Sequence, residues 1–294
     1  MLNLLEWHND LIANPNSIKQ PLLIGEIGIN HNGDLGLAKK LILVSKESGC
    51  DFVKFQKRNP DVCVPSHKRE ELKETPWGLI TYLEYKKKIE FGTREFLEID
   101  NYCRELEIQW SASAWDLESQ DFISDFDLGF NKIASAMNTN HSFVEKVAME
   151  GKVTFLSTGM CDMDNVDKCV SIFEKHKCPL VLMHTVSTYP ANDSDLNLAV
   201  IHTLRNRFKV PIGYSGHETS VTPSIIAAAL GAVVVERHVT LDRTMWGTDQ
   251  SASLESNGVR QLAIALKRIP TIVGKPDKKF IESEKKAAKN LRYW

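Results

Sequence analysis

The 294-residue chain is 43% hydrophobic and 25% charged, which is enough apolar material for a full globular core. Lysine and arginine total 36 against 38 aspartates and glutamates, so the basic excess expected of a nucleic-acid binder is absent. No apolar run nears the roughly 20 residues of a bilayer span. The start, MLNLLEWHNDLIANPN, lacks the basic segment of a signal peptide. Six cysteines without a CxxC pair argue against a disulfide framework or a zinc ribbon, and suggest a reduced, cytoplasmic chain.

Residues 1–20 read as an N-terminal extension. From there, short apolar runs alternate with segments of helical period. PLLIGEIGIN (21–30) reads as a buried strand and LAKKLILVSKES (37–48) as an amphipathic helix ended by Gly49. CDFVKFQ is the next strand. A long polar stretch over 57–94, with a helix around TYLEYKKK, precedes the helix EFLEIDNYCRELE. The strands IQWSASA, FNKIAS, KVTFLST, PLVLMHTVS, VPIGYSGH and VVVERHVT follow, each trailed by a helical segment, the last being VRQLAIALKRIPTIVG. Eight parallel strands with crossover helices predict a single α/β domain, a (β/α)8 TIM barrel over 21–274. An open doubly wound sheet would usually carry a GxGxxG first turn, which is missing. The stretch 57–94 is too long for a simple connection and falls where a lid would stand. Residues 275–294 form a basic, polar tail.

Every predicted strand ends in polar residues. In order these are Glu26 (with Asn30 and His31 just beyond), Lys54 and Gln56, Ser111 and Ser113, Lys132 and Ser135, and Ser157 and Thr158. His184, Thr185 and Ser187 follow, then Ser215 and His217, then Glu236 and His238. In a barrel these ends converge on one mouth, where barrel enzymes place catalysis. Lys54 and Lys132 with Ser113, Ser135, Ser157 and Ser215 suit a phosphate or carboxylate. STGM (157–160), opening a loop before a helix, adds free backbone N–H groups. The alternative is that both lysines pair with Glu26 and Glu236 as structural ions. His217 and His238, at neighbouring strand tips, could share a divalent metal such as Mn(II), Fe(II), Co(II) or Zn(II). The other histidines (His8, His67, His141, His176, His202) read as surface residues.

The strings IGEIGINHNGDLGLAKKLI, DFVKFQ, NKIAS, FLSTGM, HTVSTYP, GYSGHET and ERHVTLDR, in register from about residue 21 to 255, resemble the N-acetylneuraminate (sialic acid) synthase family. The resemblance implies a barrel that condenses phosphoenolpyruvate with an N-acyl hexosamine such as N-acetylmannosamine. The products are a nine-carbon 3-deoxy-2-ulosonic acid and phosphate, for surface polysaccharide. By this resemblance Lys54, Ser135, Ser157 and Ser215 hold the phosphoenolpyruvate anions, Ser113 stands where Thr or Ser is usual, and Gln56 lies beside the anion site. Lys132 occupies the KIxS element, and His217 and His238 match metal ligands usually assigned to Mn(II). Glu26 matches the acid of the EIGxNH signature, while Tyr189 and Asp249 match positions that approach the sugar. The expected catalytic residues are therefore Glu26, Lys132 and Asp249, with Ser187 joining the substrate-binding set. The family implies a homodimer.

Three features depart from the family. Members usually continue into an antifreeze-like domain, whereas this sequence ends at Trp294. Met137 stands where an acid is common, and SGHE replaces SDHT. A related eight-carbon synthase would need a second phosphate site, for which Lys57, Arg58, Lys68 and Arg69 on the long loop are the basic candidates. A non-catalytic ligand-binding descendant is the reading from another class.

Overall fold

The computed structural model describes residues 2–294. In chain order the elements are α1 (Leu4–Ala13), β1 (Leu22–Gly28), α2 (Leu35–Ser48), β2 (Phe52–Lys57), α3 (Pro60–Cys63), β3 (Leu72–Thr75), β4 (Gly78–Thr81), α4 (Tyr82–Ile89) and α5 (Thr93–Glu105). Then come β5 (Gln109–Ala114), α6 (Leu117–Ser124), β6 (Asn131–Ile133), α7 (His141–Ala148), β7 (Thr154–Ser157), α8 (Met163–Lys175), β8 (Leu180–Thr185) and α9 (Val200–Phe208). The chain ends with β9 (Ile212–Gly216), α10 (Thr222–Ala229), β10 (Val234–His238), α11 (Ser256–Val273) and α12 (Glu282–Leu291). Strands β1, β2, β5, β6, β7, β8, β9 and β10 pair in parallel in that order, and β10 closes on β1. The predicted eight-stranded barrel is the fold.

The pleat explains how these sequences sort themselves. Side chains alternate between the two faces of a strand, and a two-sided buried strand reads as a continuous apolar run. One face packs under the helices, as Leu23 and Ile27 of β1, Val53 and Phe55 of β2, Leu182 of β8 and Val235 of β10 do. The other face fills the barrel, with Ile24, Phe52, Phe130, Phe155, Val181, Met183 and Val234 forming a separate inner cluster. Two residues on from these inner side chains, the same face carries Glu26, Lys54, Lys132, Ser157, Thr185 and Glu236. The barrel is thus apolar below and polar above. Gly213 belongs to the inner face, where a Cβ would meet Met183 Sδ at 2.3 Å and Val234 Cγ1 at 2.4 Å. Only glycine leaves room there for both side chains.

Helix α1 plugs the bottom. Asn3 caps it by accepting from the Leu5 and Glu6 amides, Leu4 joins the inner cluster, and Trp7 stands edge-on to Phe155. His8, expected on the surface, is instead buried with Nε2 at 3.1 Å from the Leu180 carbonyl. The reason is that α1 turns that face toward the strand bottoms. In the long segment, α4 falls where the helix was predicted, and β3 and β4 form an antiparallel hairpin that was not. Tyr85 and Ile89 of α4 pack with Ile29 beyond β1, Ile80 of β4 and Trp246 beyond β10, which pins the segment beside the strand C-terminal ends. Helix α12 buries none of its residues. Among the described residues no helix is long and apolar enough to cross a membrane, and all six cysteines are free thiols.

A candidate active site at the barrel mouth

Four charges meet where the apolar interior gives out. Lys54 Nζ lies 2.7 Å from Glu26 Oε2 and 3.9 Å from Glu236 Oε2, and Lys132 Nζ lies 3.6 Å from Glu236 Oε1. All four side chains are buried. The register explains the meeting, since Glu26 of β1 is paired with both Lys54 of β2 and His238 of β10. Glu236 is two residues before His238 on the same inward face.

Hydroxyls surround this quartet. Ser113 Oγ is 3.4 Å from Lys54 Nζ, Ser157 Oγ accepts from Lys132 Nζ at 2.7 Å, Thr185 donates to Ser157 at 3.2 Å, and Ser215 donates to Glu236 at 2.9 Å. Burial alone would raise the Glu236 carboxyl, but Lys132, Lys54 and the Ser215 hydroxyl outweigh it and hold the group below the usual carboxylate range. Burial pulls the Lys132 ammonium below the usual lysine range despite Glu236. Both lysines therefore have carboxylate partners, as the structural-ion alternative supposed. Two ammoniums, two carboxylates and four hydroxyls at the end of a barrel also form a hydrogen-bonding floor that an anionic ligand can enter.

The wall beyond Ser157 is cut to fit. Ser135 Oγ accepts from the Gly159 amide at 3.2 Å, and a Cβ on Gly159 would meet Ser187 Oγ at 2.4 Å and Ser135 Oγ at 2.7 Å. Ser187 Oγ is buried without a hydrogen-bond partner, as expected of a donor kept for a ligand. Across the mouth, Gln56 donates to Glu26 Oε1 at 2.8 Å and accepts from the Arg58 guanidinium.

His217 and His238 stand side by side with ring centroids 5.6 Å apart, under the half-exposed Tyr189, whose ring lies 4.1 Å from His217. His217 Nδ1 is 2.6 Å from the Val186 carbonyl, which makes it the donor and leaves the Nε2 lone pair free. Burial and the neighbouring His238 push the His217 imidazole down to about 3, so it is neutral and able to ligate. His238 Nδ1 is buried without a hydrogen-bond partner, and Asp249 Oδ2 lies 3.9 Å from it. Among the described residues no three His, Cys, Asp or Glu side chains converge as a complete metal shell. The pair does fit a two-nitrogen site whose other positions fall to water or substrate oxygens.

All the expected site residues thus stand around one mouth: Glu26, Lys54, Gln56, Ser113, Lys132, Ser135, Ser157, Ser187, Tyr189, Ser215, His217, His238 and Asp249. Four strand-end residues do not. Ser111 donates to the Phe130 carbonyl inside the barrel, and Asn30 donates to the Val239 carbonyl and Ser253. His184 lies on the helix-facing side of β8 with Nε2 at 2.7 Å from the Leu196 carbonyl. His31 stacks on Phe91 at 4.0 Å, and burial drives it down to about 3. Met137 is buried in the core cluster under the helices. Glu218 of SGHE turns away from the mouth and pairs with the buried Arg237 at 2.9 Å, so each metal-candidate histidine has a chain neighbour in one ion pair. A groove of about 810 Å³ opens at the opposite end of the barrel, lined by residues such as Leu11, Pro15, Arg205 and Val233. It gathers no comparable chemistry.

His31 gives a pH dependence. The unfolded chain takes up a proton near the ordinary histidine value of about 6.5, whereas the folded chain does so only near 3. Below 6.5 the unfolded state therefore binds more protons, and stability falls as pH falls. Between pH 7 and pH 5 this single group should remove about 2 kcal/mol. Urea titrations at the two pH values measure the loss, and His31→Gln should flatten the slope; an unchanged slope contradicts the assignment.

Residues 41–278 match the model of the NeuB family. The chain is 34% identical to the N,N'-diacetyllegionaminic acid synthase of Campylobacter jejuni, over 92% of this chain and 82% of that one. It is 36% identical to the N-acetylneuraminate-9-phosphate synthase of Homo sapiens, over 89% and 74%. A solved N-acetylneuraminic acid (sialic acid) synthetase from Leptospira borgpetersenii, in complex with citrate, superposes with a TM-score of 0.83 at 31% identity, covering 94% of both chains.

Proposed function

The chain belongs to the NeuB family, and from that premise we propose that it condenses phosphoenolpyruvate with an N-acyl hexosamine such as N-acetylmannosamine, giving a nine-carbon 3-deoxy-2-ulosonic acid and phosphate. The observation that carries the reading is the Lys54–Glu26 and Lys132–Glu236 quartet, ringed by hydroxyls and set beside the paired imidazoles. The relatives are named as synthases of N,N'-diacetyllegionaminic acid, N-acetylneuraminate 9-phosphate and N-acetylneuraminic acid, and in this proposal the product of the present chain serves a surface polysaccharide.

Roles follow from position. Lys54, Lys132, Ser113, Ser135, Ser157, Ser187 and Ser215 hold the phosphate and carboxylate of phosphoenolpyruvate, fixing its nucleophilic methylene carbon against the acceptor aldehyde. A divalent metal, Mn(II) in this proposal, would be held by His217 and His238 and would supply Lewis-acid polarisation of the aldehyde oxygen. When the terminal methylene carbon bonds to the aldehyde carbon, the adjacent carbon that bears the phosphate oxygen becomes electron-poor and takes up water, and the tetrahedral adduct then expels phosphate. Glu26, hydrogen-bonded to Gln56 and paired with Lys54, stands where it can take the proton of that water. Asp249 and Tyr189 border the acceptor side, where Asp249 can manage the proton of the new hydroxyl. The reading places the enzyme in the cytoplasm. It also makes the chain a homodimer, supported by exposed apolar side chains on the tail such as Phe280, Leu291 and Trp294.

The test is phosphate release from phosphoenolpyruvate with Mn(II) across N-acetylmannosamine, mannose and diamino-dideoxy hexoses. Acceptor-dependent release with an N-acylated sugar is expected. Release with mannose alone would refute the N-acyl assignment.

A further inference from the structure

The parallel ladder gives out just before the paired imidazoles. Its last rung between β9 and β10 joins Gly216 to Arg237, so His217 stands past the end of β9. On its other side His238 is in register with Glu26 of β1. Beyond the last rung one guanidinium ties the two strand tips together. Arg237 Nη1 donates to Glu218 Oε1 at 2.9 Å, to the Ser220 carbonyl at 2.8 Å and to Ser224 Oγ at 3.0 Å, and Nη2 donates to the Glu218 carbonyl. Glu218 is held in turn, since its carboxylate accepts from the Tyr214 hydroxyl at 2.8 Å and from Ser224 Oγ at 3.1 Å. Glu218 and Arg237 are each 1% exposed.

Gly216 leaves the room for this knot. A Cβ there would meet Glu218 Oε2 at 2.5 Å, Oε1 at 2.8 Å and Tyr214 Cε1 at 2.7 Å. The glycine and the glutamate of SGHE are therefore one unit: the acid of position 218 fills the volume that a side chain on 216 would take. Two buried charges give up so much hydration that their pair adds little net stability over apolar side chains. The guanidinium's bonds to the Glu218 and Ser220 carbonyls have a different effect, which is to fix the path of the chain leaving His217.

We propose that Glu218 and Arg237 are positioning residues for the metal site: their pair, closed over Gly216, extends the registry of β9 and β10 past the ladder and holds His217 against His238. The inference rests on the reading of those two histidines as metal ligands. Both side chains point away from the mouth, because Arg237 lies on the outward face between Glu236 and His238, and Glu218 turns back to meet it. They act through the imidazoles, as partners behind a metal's direct ligands do.

Manganese affinity, read without turnover from the electron paramagnetic resonance of free Mn(II), separates positioning from mere structure. Glu218→Gln keeps the side-chain shape and should bind manganese about ten-fold or more weakly than the wild type. That change strands a buried guanidinium, so Arg237→Lys serves as a second variant. It keeps the charge pair, lacks the fork that reaches both carbonyls, and should lose affinity about ten-fold while circular dichroism stays native. Gly216→Asp/Glu218→Thr returns an acid through the vacated volume and should recover most of the loss. Wild-type affinity in either folded single variant overturns the proposal, as does a folded double variant that binds no better than Glu218→Gln. Manganese bound equally by the wild type and His217→Ala removes the ligand reading and the positioning role with it. Manganese lost in His217→Ala but retained in Glu218→Gln and Arg237→Lys overturns the positioning role alone.

Discussion

His217→Ala is expected to lower acceptor-dependent phosphate release by more than about 100-fold, a loss that even changes behind a metal's direct ligands can reach. The fold should persist. His217 packs against Tyr189 and donates to one loop carbonyl, and it sits above the apolar interior that holds the barrel together. Its imidazole, neutral through burial and oriented by the Val186 carbonyl, is one of only two nitrogens at the proposed metal position. Manganese binding followed by electron paramagnetic resonance should weaken in parallel with activity. Wild-type turnover in the variant, at any metal concentration, refutes the assignment.

Lys54→Met is expected to act twice. Removing the ammonium leaves Glu26 buried beside an apolar side chain, and breaking such a pair costs about 3–5 kcal/mol. It also removes one of the two cations facing the phosphoenolpyruvate anions, which should weaken binding about 10- to 100-fold. The two effects can be separated. In Glu26→Gln/Lys54→Met neither charge is stranded, so thermal stability should largely return while phosphoenolpyruvate binding stays weak. If Lys54 were only a structural ion, the double variant would bind phosphoenolpyruvate as the wild type does. Calorimetric titration with phosphoenolpyruvate alongside thermal melts reads both quantities.

The barrel was legible because each strand is buried on both faces and so reads as an apolar run bounded by turn residues. The mouth was legible for a related reason: only at strand ends does the inner face change from residues such as Phe52 and Val234 to Lys54 and Glu236. What the sequence hid is non-local. The hairpin β3–β4 leaves Leu72 and Leu79 largely exposed and shows no clean alternation, so nothing in LKETPWGLIT marks strands. His8 looked like a surface residue because nothing near it in sequence shows that α1 lies across the strand bottoms. His184 looked like a mouth residue because it neighbours Thr185; the pleat turns one inward and the other out. Glu218 read as a change in the metal segment, and its partner Arg237 lies far along the chain. Arg58 read as one of the basic residues of the long loop, but the path of that insertion over the mouth depends on the packing of Tyr85 against Trp246, which the sequence does not show.

The central claim is that this mouth joins two substrates. The most direct measurement is the product balance after incubating the Mn(II)-loaded protein with phosphoenolpyruvate and N-acetylmannosamine, by mass spectrometry and phosphate assay. The account predicts one phosphate released for each nine-carbon ulosonic acid formed, and no release without sugar. Phosphate appearing with pyruvate, independent of any sugar, would contradict it.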